Sequence, residues 1–396
     1  MKKFVSAVCG LGLVTGVGLA APGVAAEQDA PEQGYTYDIT TMTTDDPRAQ
    51  AVMDRLDEID PQWRARLSDP RVVGPNKQPV RDAVNRAINP DDYECGATPL
   101  DAYVEELLAE VDFLTLYILL LTGALDMPTY DALLYGTEGD PDYAVPGDAK
   151  GLNKAFTKSQ RFWDIDSSDI ELIGMHGEMV VDVDRVTRLN EVLYGMSPED
   201  AQEMAELTVE IINEDPALAG GDNPIFTLNA FAFSADGQTD PLIASIPDKI
   251  VMGEGIIEAV EWMGLGSTGA QAILAHEFAH HVQFEAGLFD SDLPEPEATR
   301  RTELMADAYA SYFSAHRQGL NLRKDVILKV QESFYNVGDC SFESPGHHGT
   351  PNQRLAAAEW GADLAISAQK QGHVLTVDEL TELFEAQLPI FLEPDA

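Results

Sequence analysis

The run His276-Glu277-Phe278-Ala279-His280 lies inside a stretch, Gly269 to Ala286, whose apolar residues recur at helical spacing. Two histidines four residues apart sit about 40° apart around an α-helix, so both imidazoles reach one point, and Glu277 projects from the same side at a wider angle. That geometry is demanding. Leu274, Phe278 and Val282 on the opposite side must pack into a core, and another element must bring a further ligand to the point where the histidines meet. Zinc is the ion this donor pattern suits, with Glu277 as a base beside it.

The next helical pattern, Thr299 to about Gln318, carries Glu303-Leu304-Met305-Ala306-Asp307. Glu303, 23 residues after His280, fits a third ligand, and three protein ligands with one open position is the usual catalytic arrangement. Asp307, one turn further, is placed to accept a hydrogen bond from the non-metallated nitrogen of a ligand histidine. The bland alternative is a pair of solvated acids. Against it, Ala306, Ala308 and Ala310 make this helix small-faced and suited to close packing on the metal helix. His281 points about 100° away from His280 and is expected to support or pack rather than ligate. Further on, Pro345 to Arg354 forms a Gly/Pro-rich loop with His347, His348 and Arg354, of the kind that can deliver an imidazole to a developing oxyanion.

Ahead of the metal helix, Ile225 to Phe233 and Lys249 to Met252 read as two strands of a small antiparallel sheet, and Ile256 to Met263 and Asp325 to Tyr335 as further helices. Strands followed by helices indicate an α+β fold over 223–396. Residues 27–222 read as a mostly α-helical region of unassigned role. Within it, Ser197-Pro198-Glu199-Asp200 opens a helix running to about Asn213. The apolar run Phe113 to Leu125 is too short for a bilayer and reads as a buried helix. Asp164, Asp166 and Ser168 start like a calcium loop but lack the glycine and the closing glutamate it needs. His176 stands alone and reads as structural or exposed.

Lys2 and Lys3 followed by an apolar Gly/Ala-rich stretch and small residues at Val24 and Ala26 read as a signal peptide over 1–26, giving an exported chain, periplasmic or secreted. Cys9 leaves with that segment. Cys95 and Cys340 then remain, and export leads us to expect a disulfide between them. The 25 Lys and Arg against 68 Asp and Glu give a formal charge of −43, which repels phosphate backbones and excludes nucleic acid as a partner.

The run Leu228-Asn229-Ala230-Phe231-Ala232-Phe233, then Lys249 to Ile257, the HEFAH helix, and Glu303 to Asp307 resembles, in that order, the catalytic domain of the CAAX prenyl endopeptidase-type and heat-shock-X-type gluzincin metallopeptidases. Bacterial neutral zinc metallopeptidases are a close second resemblance, through HExxH, ExxAD and the His348-Gly349-Thr350 run. The likeness spans about Pro224 to Gly361. It implies a zincin-like catalytic domain, one zinc per chain on His276, His280 and Glu303, Glu277 as general base, and His348 as oxyanion partner positioned with help from Arg354. The chain departs from these families in a short, acidic connection between the metal helix and the Glu303 helix, and in having no membrane-spanning segments.

The expected function is therefore zinc-dependent endopeptidase activity on a peptide or protein substrate, with the strand at Asn229, Ala230 and Phe231 pairing with the extended chain. The rival, from another class, is a cell-envelope binding or assembly factor that keeps the zinc-bound fold without proteolysis. An intact Glu277 argues against that rival, since a structural metal site has no use for a base.

Overall fold

The computed structural model describes residues 8–10, 47–61, 98–338, 348–367 and 372–393. Among these described residues four short strands, β1 (Val8–Gly10), β2 (Glu171–Met175), β3 (Ala230–Phe233) and β4 (Lys249–Gly253), form one sheet in the order β1-β3-β4-β2. β3 and β4 pair antiparallel, from Ala230 opposite Met252 to Phe233 opposite Lys249, as expected. The purely antiparallel sheet is corrected, because β2 pairs parallel with β4, from Glu171 opposite Lys249 to Met175 opposite Gly253. A parallel pair needs a long crossover, and the chain between β2 and β4 supplies one. β2 escaped the sequence reading because five residues among helices carry little periodicity. The first β-type run is also shorter than expected. Asn223 caps a 3-10 turn over Pro224–Thr227, and the strand begins only at Ala230.

The helices are α1 (Pro47–Ile59), α2 (Pro99–Leu108), α3 (Phe113–Thr122), α4 (Met127–Tyr135), α5 (Ala149–Phe162), α6 (Val183–Tyr194) and α7 (Pro198–Glu214) before the β3–β4 pair. After it come α8 (Glu254–Trp262), α9 (Gly266–Glu285), α10 (Glu295–Ala315), α11 (Lys324–Asn336), α12 (Pro351–Ser367) and α13 (Val377–Phe391). The cap on α7 is as read: the Ser197 side chain accepts from the Asp200 amide, with Pro198 at the first helical position. α3 is short, and its Leu116, Ile118 and Leu119 are buried. Among the described residues no helix is long and apolar enough to cross a membrane.

The two faces of the sheet serve different cores. Leu172, Ala230, Ile250 and Met252 join a large cluster that takes in α2, α5 and α8 to α13, whereas Ile173, Phe231, Phe233 and Val251 pack against Ala132 and Leu133 of α4 and Tyr143. A separate cluster binds α1, α3, α6 and α7. Packing thus runs across the 222/223 boundary. Phe156 of α5 meets Phe278 of α9 edge-on at 5.8 Å, and Trp163 stacks on Tyr309 of α10 at 5.5 Å. Cys95 and Cys340 lie outside the described residues, as does the expected signal peptide apart from β1.

Candidate metal centre

α9 has no solvent face through its middle, since every residue from Ala272 to Gln283 is buried. It packs against α5, α8, α10, α11 and the strands β3 and β4. Leu274, Phe278 and Val282 fill the side away from the ligands, as the spacing requires. His281, behind His280, bonds through Nε2 to the Lys249 carbonyl at 2.9 Å and so ties α9 to β4.

His276, His280 and Glu303 converge, each buried, with their candidate donor atoms all within 4.8 Å of one another. The two Nε2 atoms are 3.1 Å apart, and Glu303 Oε2 and Oε1 lie 3.2 and 3.4 Å from those of His276 and His280 respectively. Asp307 is fully buried, with Oδ1 2.8 Å from His276 Nδ1. Neither acid is a solvated surface group. Two imidazoles and one carboxylate, buried and sharing a focus, can hold a divalent metal ion.

Behind this triad stands Arg354, the first-turn arginine of α12, which is fully buried. Its Nε and Nη2 donate to Asp307 Oδ2 and Oδ1 at 2.7 and 2.8 Å, and Nη1 donates to the Val337 carbonyl at 3.2 Å. The guanidinium fork therefore grips Asp307, the acid behind His276, with Glu303 Oε2 at 3.7 Å. His348 is itself buried, and its charge acts on Glu303. It is not one of the three converging ligands.

The charges follow from these contacts. Burial would push His276 down, but the hydrogen bonds and charges of Asp307 and Glu303 outweigh it and raise its pKa to about 9. For His280 burial prevails, and the pKa falls. Burial would also raise Glu303, yet His280, His348 and His276 hold it well below the usual carboxylate range. Glu277 is the reverse case. Fully buried, it is pushed well above that range by desolvation, against opposing pulls from His276 and Arg354. Among the described residues neither of its oxygens makes a hydrogen bond of ordinary geometry, and only the backbone of Ala232 on β3 offers slight help.

The backbone carbonyl of Asn229 accepts from the Gly253 amide, anchoring the start of β3 to the end of β4. The outer edge of β3 pairs antiparallel with β1, Gly10 opposite Phe231 and Val8 opposite Phe233. One site residue escaped the sequence reading. Gln283, on the ligand side of α9, places Oε1 2.8 Å from His280 Nδ1, and its position three residues after His280 was the available signal. Comparison with protein-family models, with curated proteins and with solved structures finds no match.

Proposed function

We propose that the chain is an exported zinc-dependent endopeptidase. The observation that carries this reading is the unpartnered, buried Glu277 carboxyl next to a buried His276, His280 and Glu303 triad. An orphaned buried acid is destabilising, and a base waiting for the proton of an attacking water gives it a reason to persist. Zinc, when bound to the triad, supplies an acidified water and a positive charge for polarising a carbonyl.

Glu277 accepts the proton of the attacking water on a carboxylate oxygen and passes it to the leaving amine nitrogen. Desolvation raises its basicity, which suits that task. Asp307, held by Arg354, keeps a hydrogen on His276 Nδ1 and so leaves Nε2 free to ligate. His348 donates to the oxygen on which charge builds. An extended substrate pairs with the outer edge of β3, a reading supported by the antiparallel pairing of Val8–Gly10 along it; removal of the N-terminal segment on export frees that edge.

The test is elemental analysis of the purified protein together with a casein or peptide-library digest, with and without a chelator. Stoichiometric zinc and chelator-sensitive cleavage are expected. Zinc-loaded protein that cleaves nothing in either assay would favour the assembly-factor reading instead.

A further inference from the structure

The two histidines are held from behind in different ways. His276 turns Nδ1 to the Asp307 carboxylate, but His280 turns Nδ1 to a neutral amide, Gln283 Oε1, at 2.8 Å. The other end of that amide is also engaged: Gln283 Nε2 donates to the Thr302 backbone carbonyl at 2.7 Å. Gln283 is fully buried and Thr302 nearly so.

This chain of contacts leaves one assignment of hydrogens. A backbone carbonyl only accepts, so Thr302 takes the NH2 end and turns Oε1 towards His280. Oε1 also only accepts, so His280 must carry its hydrogen on Nδ1. In the neutral imidazole Nε2 is then an unprotonated lone pair, facing His276 Nε2 at 3.1 Å and Glu303 Oε1 at 3.4 Å. Thr302 immediately precedes Glu303, so the same amide links α9, which carries the histidines, to the turn of α10 that carries the carboxylate.

We infer that Gln283 is a positioning residue that locks His280 in the Nδ1–H tautomer and, through Thr302, fixes the spacing of α9 from the Glu303 turn of α10. The inference rests on the reading of His280 as a metal ligand. A neutral amide suits the place for an electrostatic reason. Glu277, Glu303 and Asp307 already face the site with Arg354 as their buried arginine, and a carboxylate at 283 would add a fourth acid directed at the Thr302 carbonyl.

The experiment uses the metal-stripped protein labelled with 15N, in which ring-nitrogen shifts report the His280 tautomer, followed by zinc titration against a competing chelator. Wild type is expected to show the hydrogen on Nδ1. Gln283→Met removes acceptor and donor together, and should move the hydrogen towards Nε2 and weaken zinc binding by roughly 10 to 100-fold, with an unchanged far-UV circular dichroism spectrum. Gln283→Glu restores the acceptor alone, and should keep the hydrogen on Nδ1. A wild-type His280 carrying its hydrogen on Nε2 would overturn the inference, as would a Met variant with wild-type tautomer and zinc affinity. Should the Met variant fail to fold, a Glu variant with the hydrogen on Nε2 overturns it equally. If wild type binds no zinc, the metal reading falls, and the tautomer measurement still decides the role of Gln283.

Discussion

Replacing Asp307 by Asn keeps the shape of the side chain and removes one acceptor and the charge. Three donors converge on this carboxylate: His276 Nδ1 and Arg354 Nη2 on Oδ1, and Arg354 Nε on Oδ2. In the Asn variant Oδ1 can still serve His276 and Nη2, but the new NH2 group replaces Oδ2 and faces Arg354 Nε, donor against donor. Arg354 is fully buried, and among the described residues the carboxylate nearest to it after Asp307 is Glu303, 3.7 Å away. Breaking a buried ion pair on one side costs up to about 3 to 5 kcal/mol, so the Asn variant should lose a part of that range well above 1 kcal/mol in urea unfolding of the metal-stripped protein. Zinc affinity should fall roughly 10 to 100-fold, as is usual when the group behind a ligand histidine is lost. A second variant separates charge from shape. Arg354→Met combined with Asp307→Asn removes the cation as well, and the double variant should be more stable than the sum of the two single losses implies. Asn-variant stability within about 1 kcal/mol of wild type, a small effect on the usual scale of point mutations, together with unchanged zinc affinity, would refute the argument.

Glu277→Gln should keep zinc and lose nearly all peptidase activity, and Glu277→Leu should stabilise the metal-stripped protein by about 1 to 3 kcal/mol, because it removes an unpartnered buried carboxyl; thermal melts and digests check the pair. His348→Ala should retain stoichiometric zinc and lower kcat by roughly 10²-fold, whereas loss of zinc would make it a ligand. Gly361→Ala should destabilise the α10–α12 contact and weaken zinc binding in the same titration, since a Cβ there would lie 2.0 Å from the Ala308 carbonyl. Lys249 is buried, donates to the Leu133 and Gly136 carbonyls at 2.8 and 2.5 Å, and has its pKa lowered by burial from 10.5 to about 8. The unfolded chain therefore binds more protons between those values, and wild type should gain roughly 3 kcal/mol of stability as pH rises from about 8 to 10.5, a slope absent from Lys249→Met.

The HExxH helix and the Glu303 helix were legible because their constraints are local: residues four apart share a helix face whatever the fold around them. The same rule placed Asp307, one turn beyond Glu303, behind His276. Contacts between distant segments were harder to read. Nothing in the pattern of Glu171 to Met175 says that it pairs with β4, because a parallel partner is chosen by the crossover between them. The grip of Arg354 on Asp307 depends on where α12 crosses α10, a matter of Gly361 meeting the Ala308 backbone, which spacing along the chain does not encode. Gln283 was different. Its place on the helix was readable, but its role depends on the Thr302 carbonyl arriving from α10 to orient the amide.

The arrangement of charge supports the proposed chemistry over a purely stabilising role for this cluster. A buried ion-pair network is often no more stable than well-packed apolar residues of the same volume, so Asp307, Arg354 and Glu303 would be poor choices for a core that needed only to hold together. Every member but one is compensated: His276 by Asp307, His280 by Gln283, Asp307 by Arg354, and Glu303 by the histidines around it. The exception is Glu277, next in sequence to His276 yet left, among the described residues, with no hydrogen bond of ordinary geometry on either oxygen. A buried acid whose oxygens make no hydrogen bond is what the proposed hydrolysis asks of its base, since those oxygens must be free to take a proton.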